Sequence, residues 1–219
     1  MKYQQLFQQL AQKRDPVKSK PMSAHMQNKF SFLGVSTPER KRICRPFFSL
    51  AKANREEIDW EFVKLCWQKP EREYQYVAIN YLSVMQEHLT AADLPKLKEL
   101  LVEKSWWDTI DGLVRLVGGI AAAYPEVKEE LLAWSLDDNS WLRRAAIDHQ
   151  LNRKKDTDTE LLEQIIVNNL DQRDFFINKA IGWSLREYSK VDPQWVRKFI
   201  RRYHEKMSKL SIIEGSKYL

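Results

Sequence analysis

A chain of 219 residues with 43% hydrophobic side chains can bury a sizeable core, and its 6 glycines are too few for a sheet of tight turns. Its preponderance of Leu, Ala, Glu, Lys, Gln and Arg predicts helices with short connections. Two isolated cysteines, four scattered histidines and a longest apolar stretch of only about 116–124 speak against a disulfide framework, a metal motif and a bilayer span.

The opening MKYQQLFQQLAQKRD is amphipathic and polar, unlike an export signal, which points to a soluble protein of the cytoplasm. Residues 1–45 hold ten Lys and Arg against Asp15 and Glu39, or +8, which leaves −2 for 46–219 and a net +6. Such a basic fifth is either the footprint of a polyanion binder or a solubilising face. The stretch 16–38, with KSKPMSAHMQNKFSFLGVSTP, reads as a loop or a short broken helix. Cys44 and Cys66 fit buried structural thiols in a reducing compartment. These features predict a single domain, with 1–45 as basic capping helices and loop and 46–219 as repeats.

The repeats are visible as a period of 34. The pairs Ala78-Ile79, Gly112-Leu113, Ala146-Ile147 and Ala180-Ile181 share it, and so do Glu73, Trp107, Trp141 and Phe175, five residues before each small residue. Helices such as PEVKEELLAWSL and TDTELLEQIIVNNL lie between these segments, and Thr90, Pro125 and Asp158 mark starts. The TPR residue pattern is missing, so the expected fold is all-α: a right-handed α-solenoid of tandem HEAT-like hairpins with a concave basic groove.

On the segment SWWDTIDGLVR, Trp107 and Asp111 stand at i and i+4 and share one helical face, with Asp108 nearby. Trp107 alone fits core packing, and Asp111 alone fits a solvated carboxylate. By register, Arg143 and Arg144 and then Trp183 fall on the same surface. Arginine binds phosphate with a planar fork, indole faces attract cations, and a carboxylate stabilises an oxocarbenium ion as a glycosidic bond breaks. A cationic nucleotide with a labile N-glycosidic bond would use all three.

The stretches NKFSFLGVSTPERKRI, SWWDTID, SWLRRAAI and DFFINKAIGWSLREYSKVDPQWVRKFI, within residues 22–211, resemble the AlkD-like DNA alkylation repair proteins. These are HEAT-like DNA glycosylases that act on N3- and N7-alkylated purines. The resemblance implies Asp111 as the catalytic carboxylate, Trp107 and Trp183 as aromatics lining the lesion, and Arg144 beside them. His25 stands where that family is expected to carry an aromatic hydroxyl residue near the lesion, and it joins the residues expected to contact the nucleotide. Phe175 and Phe176 fall among groove aromatics or packing residues. Arg143, Lys29, Arg40, Lys41 and Lys179 are the cations expected on DNA phosphates. The implied protein is a monomer on double-stranded DNA containing alkylated purines, without cofactor, metal or membrane. A non-catalytic repeat module binding DNA or a protein is the competing reading. A nuclease is disfavoured because no clustered metal-binding carboxylates appear.

Overall fold

A computed structural model describes residues 2–54 and 57–219, which are all-helical apart from turns and one isolated bridge between Ser31 and Glu71. The chain forms two compact units, Met1–Leu89 and Thr90–Leu219.

The first unit holds α1 (Lys2–Ala11), α2 (Pro16–His25), α3 (Thr37–Ala53), α4 (Trp60–Gln68) and α5 (Arg72–Val84). Helix α1 packs on α3, while α3 and α4 pack on α5. Leu6 and Leu10 of α1 point inward, and Tyr3 stacks on Phe62 of α4 at 4.7 Å. The stretch 16–38 contains a ten-residue helix despite Pro21 at its sixth position. An interior proline removes one hydrogen bond, while Pro16 suits the first turn and Asp15 caps it, accepting from Val17 N at 3.0 Å and Lys18 N at 3.1 Å. Residue 45, where capping helices were expected to give way to repeats, lies inside α3, whose buried face continues through Phe48 to Ala51.

Glu73 organises this unit. It is fully buried in α5, with Oε1 accepting from Gly34 N (2.8 Å) and Val35 N (3.1 Å) and Oε2 from Leu33 N (2.9 Å). The loop can approach so closely because residue 34 is glycine, at φ 90°. A Cβ there would lie 2.1 Å from the Asp15 carbonyl oxygen. Thus the 34-residue register places an aromatic side chain at 107, 141 and 175 but a loop anchor at 73.

The second unit holds α6 (Leu94–Val102), α7 (Trp107–Ala123), α8 (Lys128–Trp134), α9 (Ser140–Asp148) and α10 (Thr159–Val167), followed by α11 (Phe175–Ser189), α12 (Pro193–Tyr203) and α13 (Lys209–Gly215). Helix α9 packs against α6, α7, α8, α10 and α11, and α11 packs against α12 and α13. Ile110, Leu113 and Val117 form the inward stripe of α7, each contributing about 1.5–3 kcal/mol over an exposed position. Starts are fixed locally. Thr90 and Asp93 form a capping box before α6, Asn139 caps α9, and Asp158 caps α10 by accepting from Leu161 N at 3.0 Å. Gly118 lets α7 meet the turn after α9, where a Cβ would lie 2.3 Å from the His149 carbonyl oxygen.

Candidate active site

Helices α7, α9 and α11 of the second unit bring Asp111, Arg144 and Trp183 together. Asp111 lies one turn after Trp107 on α7, and both are half-buried. Arg144 sits mid-way along α9 with a side chain only 2% exposed, whereas that of Asp111 is 32% exposed. An arginine so deeply placed needs fixed acceptors, and it has them. Nη2 donates to Asp111 Oδ1 at 2.8 Å and Nη1 donates to the Phe176 carbonyl at 2.7 Å. Its guanidinium carbon lies 5.3 Å from the centre of the Trp183 ring.

The result is a carboxylate held in one orientation by a charge-assisted hydrogen bond and open to solvent on its other side. Asp111 and Trp183 line a cavity of about 500 Å³ together with Arg115, Gly118, Asn152 and Arg153. The open side of the Asp111 carboxylate, next to the Trp183 ring, suits a ligand that develops positive charge beside an aromatic face.

The neighbouring arginine is used differently. Arg143 Nη1 donates to the carbonyls of Asp137 (2.8 Å) and Asp138 (3.2 Å), which ties it to the turn before α9. Lys179 donates to Glu214 at 2.7 Å, and its ammonium is 6.0 Å from the Trp183 ring centre. Arg186 also reaches Glu214, at 2.8 Å, so one carboxylate on α13 gathers two cations beside the indole. Phe176 packs with Trp141 at 5.0 Å and Trp106 at 5.2 Å. Phe175, 59% exposed, contacts that cluster only at its edge, through Phe176 at 5.3 Å.

In the first unit, His25 ends α2 and is exposed, as are Lys29 and Lys41. Arg40 is different: it is 5% exposed, with its guanidinium 4.7 Å from the Tyr76 ring centre. It belongs to the inner stripe of α3, with Ile43, Cys44, Phe48 and Ala51. Arg40 therefore packs inside the unit, and the exposed cations between residues 25 and 45 are Lys29, Lys41, Arg42 and Arg45.

One site residue was absent from the sequence reading. Asp148, the last residue of α9, is buried four residues after Arg144, and its Oδ2 lies 3.6 Å from the Arg144 Nη2 that serves Asp111. The i, i+4 spacing from an arginine was the available signal. Its burial depends on α11, where Ser184 Oγ lies 3.4 Å from Asp148 Oδ1. Among the described residues, no three His, Cys, Asp or Glu side chains are arranged to hold a metal ion. Among the described residues, no helix is long and apolar enough to cross a membrane.

The chain matches, over residues 6–219, the model of a family described as DNA alkylation repair enzyme. Among solved structures it is similar to a "Predicted DNA alkylation repair enzyme from Enterococcus faecalis", at 33% identity and a TM-score of 0.87, covering 94% of this chain and 97% of that one. No curated protein matches it.

Proposed function

The chain belongs to the DNA alkylation repair enzyme family, and from that premise we propose that it is a DNA glycosylase. In this reading it hydrolyses the N-glycosidic bond of cationic N3- or N7-alkylated purines in duplex DNA, in the cytoplasm. The observation that carries the reading is the Asp111 carboxylate, fixed by the buried Arg144 and set beside Trp183 on the wall of an open cavity. An alkylated N3 or N7 makes the purine a cationic leaving group, so departure needs no proton donor. What remains is to stabilise the sugar cation and position water, and Asp111 is the group for both. Trp107 and Trp183 hold the charged nucleotide by cation–π attraction, and Arg144 orients the acid. Glycosylases that act on neutral bases usually extrude the base and protonate it; this chemistry requires neither step.

The test is incubation of the purified protein with duplexes carrying one 7-methylguanine, uracil or hypoxanthine. Free 7-methylguanine is the expected product, with neither of the other two bases released. His25→Phe is expected to keep methylpurine release close to wild type. Efficient hypoxanthine release that disappears in His25→Phe would show that His25 supplies a proton and would overturn the donor-free mechanism. A protein that binds duplex DNA and releases no methylated base is the non-catalytic module instead.

Binding itself is expected to be steeply salt-dependent and indifferent to sequence, because surface cations such as Lys29 and Lys41 contact phosphates rather than base edges. Each phosphate contact adds about 0.9 to the slope of log K against log salt. Fluorescence anisotropy with undamaged duplexes over a salt series measures it. An affinity that does not change with salt would remove the phosphate contacts from the proposal.

A further inference from the structure

Arg144 faces two carboxylates with one nitrogen. Nη2 donates to Asp111 Oδ1 at 2.8 Å and lies 3.6 Å from Asp148 Oδ2, and the Arg144 and Asp148 side chains are both 2% exposed. Asp148 Oδ2 accepts no hydrogen bond, and Oδ1 has only the Ser184 hydroxyl at 3.4 Å. That hydroxyl has one proton and gives it to the Ile147 carbonyl at the better distance of 2.9 Å. Asp148 is thus a buried acid with a single charged partner, which it shares.

We infer that Asp148 is a positioning residue for the reaction proposed above: by competing with Asp111 for Arg144, it sets how much negative charge Asp111 presents to the sugar. The inference rests on that proposed glycosylase reading. With Asp148 protonated, Arg144 and Asp111 form a neutral pair, and the guanidinium offsets much of the field at the cavity. With Asp148 ionised, one guanidinium serves two carboxylates and the group carries a net negative charge. An oxocarbenium-like transition state is favoured by the second state.

The groups acting on Asp148 make this exchange accessible near neutrality. Burial pushes its carboxyl up and Asp111 on α7 pushes it further, against Arg144 on its own helix and Ser184 on α11, leaving it at about 7. Other charged or titratable side chains in the same cavity wall are Arg115 on α7 and His149 and Arg153 in the turn after α9. Burial holds His149 down at about 4, so it is neutral through this range. Asp148 loses its proton as pH rises through about 7, and excision rises with it.

Asp148→Asn fixes the protonated shape and charge, so it is expected to fold and to excise at the low-pH level throughout. The measurement is single-turnover release of 7-methylguanine by wild type and Asp148→Asn from pH 5.5 to 8.5. Taking the ratio at each pH cancels the titration of the lesion. A ratio near one at low pH that rises severalfold with a midpoint near neutrality is the expected result, and a flat ratio overturns the inference. A second readout does not depend on turnover: carboxyl ¹³C NMR of the intact protein. One aspartate should titrate near neutral pH, vanish in Asp148→Asn and move to lower pH in Asp111→Asn, where Arg144 is released to Asp148. A titration unmoved by Asp111→Asn overturns the shared guanidinium. If that shift is seen while wild type releases no methylpurine at any pH, the glycosylase reading fails and takes the reaction role with it, while the shared pairing stands.

Discussion

Asp111→Asn is expected to lower the rate of methylpurine excision by about a hundredfold or more while leaving affinity for duplex DNA nearly unchanged. The carboxylate charge matters where positive charge develops on the sugar, which is the transition state rather than the bound ground state. Removing one such electrostatic stabiliser costs roughly 2–4 kcal/mol. The fold should tolerate the change because the amide oxygen can still accept from Arg144. The arginine also keeps the Phe176 carbonyl at 2.7 Å and the Asp148 carboxyl at 3.6 Å. Burst or single-turnover kinetics separate this loss from any change in binding. Excision at the wild-type rate would take the catalytic role away from Asp111.

The largest loss of stability is expected from Glu73→Ala. Three backbone N–H groups, those of Leu33, Gly34 and Val35, donate to this buried carboxylate. Truncation strands all three, and each buried donor left without an acceptor costs about 1–3 kcal/mol. With some relief from entering water, a total of about 3–5 kcal/mol is expected, a large share of the 5–15 kcal/mol that holds a typical domain. Urea unfolding followed by circular dichroism measures it. Glu73→Gln, which keeps the acceptor oxygen but turns an NH₂ towards a donor, should fall between the two. A loss below about 1 kcal/mol in Glu73→Ala would show that the loop does not depend on this anchor.

These two residues also mark what the sequence made legible. The 34-residue register announces helices that begin at Arg72, Trp107, Ser140 and Phe175, and it places Ala78, Ala146 and Ala180 at fully buried positions. Asp111 stands out one helical turn after Trp107, and register brings Arg143 and Arg144 alike to its surface; the family resemblance favours Arg144, and that is the arginine paired directly with Asp111. Register could not tell that Glu73 is a loop anchor. Its partners lie about 40 residues earlier, in a segment whose path depends on Gly34. Nor could charge counting tell that Arg40 faces inward. Its place in the stripe with Ile43 and Cys44 was the clue, and helical period outweighs the prior that arginine is exposed. Lys179 is the converse case: nothing nearby in sequence announces Glu214, 35 residues later. Long-range pairings of this kind follow from the packing of α11 on α13.

Cys44 and Cys66 are free thiols, and both are buried. Burial pushes Cys44 up to about 12 and Cys66 well above the ordinary thiol value. Thiolate, not thiol, is the reactive form of cysteine, so at neutral pH neither sulfur presents an anionic nucleophile to solvent. Electrophiles that methylate purine nitrogens also methylate exposed thiolates, and a protein acting on alkylated DNA shares its surroundings with them. On the proposed function, sulfurs kept protonated and enclosed would be spared by the same electrophiles that create the substrate.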